Sequence, residues 1–180
     1  IVSTGSGAPA AAVASITTTE SLVGLAPGTT YDAYVRDVCA TSLMISGVYD
    51  GPLSGGLPKG IELYAINDID DLSSYGVGSA NNGGGTDGQE YTFPAASLDE
   101  GQHLLLARST SAMSEYFGAC MAEFDVVLEA TTAINQNGDD AIELFFETEV
   151  IETFGDADVD GSGESWEYSD SWAYKSESGD

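Results

Sequence analysis

Short runs of β-branched and aromatic residues, lying between clusters of glycines, restrict this chain to a fold of many short strands. The glycine clusters fall at residues 51–60, 76–88 and 161–163. The strand-like runs cover 31–38, 43–49, 61–66, 103–107, 124–128, 141–146 and 149–154. Period-2 alternation is clearest in Ile61-Glu62-Leu63-Tyr64 and Ile142-Glu143-Leu144-Phe145, which predicts strands buried on one face. Short strands joined by Gly and Asx turns pack as a sandwich or barrel. One segment, 111–121, carries Ala112, Met113, Tyr116, Phe117 and Cys120 at helical spacing. The expectation is an all-β fold with at most one short helix.

Charge narrows the partners. Thirty acidic residues against four basic ones leave a net charge of −26. Binding to phosphate needs Lys and Arg to neutralise it, and Arg36, Lys59, Arg108 and Lys175 are scattered. Nucleic acid and anionic membranes are therefore poor partners, and the expectation is no nucleic acid and no membrane insertion. No apolar run is long enough to span a bilayer. Such a surface stays soluble, attracts cations and suits salty surroundings, where screening weakens self-repulsion. With 42% hydrophobic residues, the 180-residue chain can build a core for one domain or one and a fraction. It opens on Ile1 and reads as the mature or truncated part of a longer protein. Cys39 and Cys120 allow one disulfide; a bridge between them and a Cys39 partner lost to truncation are both open. One histidine and no C-x-x-C pair give no basis for zinc.

The first forty residues differ from the rest. Leu22-Val23-Gly24-Leu25-Ala26-Pro27-Gly28-Thr29-Thr30-Tyr31 leads into an alternating run, the arrangement of a tyrosine corner. Residues 17–39 resemble the second half of a fibronectin type III domain, so 1–40 is read as a partial domain contributing an N-terminal β segment. From residue 41 onward a series of motifs appears in order. Leu43 to Asp50 forms an opening strand, followed by Lys59-Gly60-Ile61-Glu62-Leu63-Tyr64 and Asp70-Asp71-Leu72-Ser73-Ser74-Tyr75. Then come Leu98-Asp99-Glu100-Gly101, Asn137-Gly138-Asp139-Asp140-Ala141-Ile142-Glu143-Leu144 and Val150-Ile151-Glu152-Thr153-Phe154-Gly155. The tail from Asp160 to Tyr168 continues the series. In this order the motifs resemble the lamin tail domains of secreted bacterial proteins, over residues 41–180. The resemblance implies an immunoglobulin-like β-sandwich without catalytic residues, of a kind that accompanies secreted nucleases, phosphatases and surface proteins. In physical terms Asn137-Gly138 suits a tight turn and the two aspartates suit amide caps. Trp166, Tyr168, Trp172 and Tyr174 are expected to close one end of the sandwich as core residues, ahead of stacking on carbohydrate.

One loop carries metal-ligand spacing. Asp156, Asp158 and Asp160, then Gly161, Glu164 and Glu167, fit D-x-[DN]-x-[DN]-G-x5-E. Ca²⁺ is a hard ion that takes six to eight oxygens, and alternating carboxylates on a sharply turning loop supply them. The flanking residues read as strand rather than helix, so this is no ordinary EF-hand. A Ca²⁺ site and a solvated acidic turn both stand. Asp68, Asp70 and Asp71 read as a solvated turn.

No catalytic constellation appears. His103 sits in a leucine-rich strand, there is no G-x-S-x-G, and the glycine clusters lack the G-K-[ST] of a P-loop. The chain reads as a non-enzymatic, extracellular or cell-surface interaction module whose partners are other protein chains or cell-surface polymers. Two alternatives remain: a fibre subunit that self-assembles by strand complementation through residues 1–40, and an accessory domain of a secreted nuclease or other hydrolase.

Overall fold

The computed structural model describes residues 42–175 and, before them, two short strands, β1 (Val2–Ser3) and β2 (Asp32–Ala33), which pair antiparallel. The chain divides into two compact units, Ile1–Val38 and Cys39–Asp180. The tyrosine corner at Tyr31 and the cysteine at 39 lie outside the described residues, as does strand complementation through the rest of 1–40. The larger unit is a two-sheet β-sandwich with one short helix, as the alternation predicts.

One sheet has five strands in the order β11 (Trp172–Tyr174), β3 (Leu43–Leu53), β4 (Leu57–Ala65), β7 (His103–Ala107) and β8 (Val126–Glu129). The other has four, in the order β10 (Glu149–Phe154), β9 (Ala141–Phe146), β5 (Tyr75–Ala80) and β6 (Tyr91–Thr92). Side chains that alternate inward join in one core between the sheets. Leu43, Ile45, Ile61, Leu63, Leu104 and Leu106 come from the first, with Tyr75, Val77, Ile142 and Leu144 from the second. Each buried aliphatic contributes about 1.5–3 kcal/mol relative to exposure.

β7 and β8 run parallel, so the chain between them must cross over, and the predicted helix does this. It is shorter than expected. α1 (Thr110–Phe117) starts where the Ser109 hydroxyl accepts from the Ala112 amide at 3.3 Å, and it stops at Gly118, whose φ of 55° ends α geometry. The expected remainder continues as a 3₁₀ turn, Gly118–Glu123. α1 covers the outer face of the five-stranded sheet, where Met113 packs on Leu105 and Ala107. Gly60 allows this: a Cβ there would lie 2.7 Å from the Met113 methyl.

β5 lies inside a glycine cluster that reads in sequence as turn. Its six residues are all buried, because Gly76 and Gly78 let the following segment cross directly over the strand. Lys59 of β4 is 3% exposed and donates to Asp50 Oδ1 on neighbouring β3 at 2.6 Å and to the Gln136 carbonyl, in the segment ahead of β9, at 2.5 Å. Asp50 Oδ2 accepts from the Asp170 amide at 3.2 Å, ahead of β11. Removing one member of a buried pair strands the other charge. Lys59→Ala is expected to cost about 3–5 kcal/mol in urea denaturation, and the double change Lys59→Met with Asp50→Leu to recover much of that.

Candidate functional site

The outer face of the five-stranded sheet is only partly covered by α1. Between the helix and the edge strand β11 runs an apolar groove of about 370 Å³, lined by Tyr49, Leu105, Met113, Phe117, Trp172 and Tyr174. Glu62 and Glu123 supply its carboxylates. Glu62 is held by His103 Nδ1 at 2.7 Å, so His103 serves as a strand residue that fixes a groove wall. Tyr49 meets Phe117 edge-on with ring centroids 5.0 Å apart, and burial followed by its hydrogen bond with Tyr116 pushes its phenol well up.

Trp172 and Tyr174 correct the sequence reading. Rather than closing the core they stand 58% and 65% exposed, stacked on one another at 5.0 Å and 25°. The reason is register: residues 172 and 174 pair with Tyr49 and Gly47, so alternate side chains of β11 project onto the outer face, while Ala173 between them packs against the core. Tyr168 is the aromatic that closes the end, 1% exposed with its hydroxyl donating to the Asp140 carbonyl at 3.1 Å. Trp166 is half-buried and meets Phe154 edge-on.

The acidic loop follows β10. Asp156 Oδ1 accepts from the Asp158 amide at 3.0 Å, Asp160 Oδ1 from the Ser162 amide at 3.0 Å, and Glu167 Oε2 from the Gly163 amide at 2.8 Å. These carboxylates thus serve their own loop's backbone, and Glu164 is exposed. Among the described residues no three His, Cys, Asp or Glu side chains converge in a metal-binding group. Gly161 matters here by contact: it lies against the Trp166 ring and the Asp139 carbonyl, leaving no room for a side chain. Asp139 is pushed up by burial and then by Asp140, with Asp160 and Glu167 adding to it.

Other predicted turns behave as caps. Gly138 takes a φ of 92°, and buried Asp140 accepts from the amides of Asn82 and Asn137 at 2.9 and 3.1 Å. Asp71 caps Ser73 at 2.9 Å and Asp68 caps Glu100 at 2.8 Å. Cys120 is exposed at the groove. No helix among the described residues is long and apolar enough to cross a membrane. Comparison with family models, with curated proteins and with solved structures finds no match to this chain.

Next to β5, Glu90 caps the Ser79 amide at 2.9 Å, and burial, with Asp87 and Asp140 nearby, raises its carboxyl. A raised acid binds its proton more tightly folded than unfolded, so it lowers stability as pH climbs through the folded value. Glu90→Gln is expected to raise the melting temperature at pH 7, with the gain vanishing below about pH 4, where the unfolded carboxyl is itself protonated. Thermal melts across this range provide the check.

Proposed function

We propose that the larger unit is a non-catalytic extracellular interaction module, lamin-tail-like in kind, that captures a basic segment of another protein in the groove beside Trp172 and Tyr174. The observation that carries this reading is the exposed, stacked aromatic pair flanking an apolar groove with two carboxylates. Large aromatics left in water beside a concave apolar surface are the features of binding surfaces rather than of free ones. The chemistry favours a cationic occupant. An Arg or Lys stem fits an apolar floor, its charged head gains from the outer face of an indole or phenol, and Glu123 lies within the same groove. A net charge of −26 draws such a segment in and repels acidic ones.

Quenching of tryptophan fluorescence by Arg- and Lys-rich peptides measures this directly. The expected result is salt-sensitive binding that weakens at least tenfold, about 1.4 kcal/mol, in the double variant Trp172→Ala, Tyr174→Ala with its circular dichroism unchanged. Equal affinity in that variant, or binding of neutral oligosaccharides in preference to peptides, would sink the proposal.

Calcium on the loop from Asp156 to Glu167 belongs to the same reading, supported by the spacing of Asp156, Asp158 and Asp160 and by an all-oxygen donor set. After chelator treatment, millimolar Ca²⁺ is expected to raise the melting temperature, and Asp158→Ala with Asp160→Ala to abolish the rise.

A further inference from the structure

Glu143 lies on β9 and points away from the inter-sheet core, yet it is 1% exposed. The glycine-rich loop over residues 81–90 covers it. Thr86 Oγ1 donates to its Oε1 at 2.6 Å, and its Oε2 is buried with no hydrogen-bond partner among the described residues. A buried carboxylate oxygen without a donor is costly unless a proton or a cation meets it. Among the described residues the cations do not: Lys59 is held by Asp50, Lys175 by Glu152, His103 by Glu62, and Arg108 by Asn135 and the Ile134 carbonyl.

The surroundings supply oxygens. Gly88 lays its carbonyl over Gly78, the cross-strand neighbour of Glu143. The covering loop is tied to the acidic loop by the Gly85 amide, which donates to the Ala157 carbonyl at 2.9 Å. Asp158 Oδ1 lies 3.3 Å from where a Cβ on Gly85 would sit, one residue before Thr86. Neither His nor Cys is among these groups, which disfavours zinc, and flexible loop oxygens suit Ca²⁺ better than the strict octahedron of Mg²⁺.

We infer that Glu143 is the buried ligand of a calcium ion held where the 81–90 loop meets the acidic loop at Asp158. The ion takes its further oxygens from Thr86 and the loop carbonyls rather than from a third converging carboxylate. This inference rests on the calcium reading of the acidic loop and moves the centre of the site from the linear motif to its contact with the neighbouring loop.

The experiment is a Ca²⁺ titration of the chelator-treated full chain, read by melting temperature and by calorimetric affinity, with Mg²⁺ as control. The wild type is expected to gain several degrees with Ca²⁺ and little with Mg²⁺. Glu143→Gln, which keeps the shape, is expected to weaken Ca²⁺ at least tenfold, and Thr86→Val, at an exposed position, at least threefold. Unchanged Ca²⁺ affinity in Glu143→Gln, with loss in Asp158→Ala, Asp160→Ala, would overturn the role of Glu143 and leave the linear motif standing. No Ca²⁺ response in the wild type would overturn both. Should Glu143→Gln fail to fold, the Thr86→Val affinity decides, and a wild-type value there is a refutation.

Discussion

The ammonium of Lys59 is the point to which four separate stretches of the larger unit are tied. Taken out of water, a charge must be surrounded by acceptors, and here Asp50 of β3 and the Gln136 carbonyl ahead of β9 supply them. Asp50 passes the constraint on through its second oxygen to the Asp170 amide, and Gln136 through its side-chain amide to the Gly60 carbonyl at 3.3 Å. The chain entering β11 is therefore fixed by the same charge that pins β3 to β4. Trp172 and Tyr174 stand on the outer face because β11 is registered from two residues further on.

Elsewhere the acids find few cations and turn to the backbone instead. Amides of Ile45, Ser73, His103, Thr110, Ser162 and Gly163 all donate to carboxylates. A backbone amide is already in place, so capping it costs less side-chain ordering than a surface ion pair between two long chains. At Asp71 and Glu129 the consequence is direct: the amides of Ser73 and Thr110 hold these carboxyls below their usual range. Glu143 stands apart because its second oxygen is buried without such a donor.

How much of this is legible in the sequence follows from which signals are local. His103–Ala107, Ala141–Phe146 and Glu149–Phe154 announce themselves by composition and alternation, and they form strands with those bounds. The strand Tyr75–Ala80 does not, because its glycines report a loop crossing overhead, a tertiary fact that reads locally as a turn. Trp172 and Tyr174 are two residues apart and share a face in any strand. Which face they share is fixed by pairing with Tyr49, more than a hundred residues earlier. The acidic loop is visible as spacing, whereas its contact with Gly83 and Gly85 and the burial of Glu143 appear only once the sheets are assembled.

The pairing of Trp172 with Tyr49 also bears on when the groove comes into being. Its floor is built early in the chain, from β3 and β4, but one wall is the last strand described. Closing a loop of that length carries an entropic cost that grows only slowly with its size, but it makes the contact a late, non-local event in folding. During synthesis, Tyr49 and the outer face of β4 have to emerge and wait, exposed, until β11 leaves the ribosome. The groove is thereby absent from any nascent or clipped chain that lacks β11, because Trp172 and Tyr174 form one of its walls.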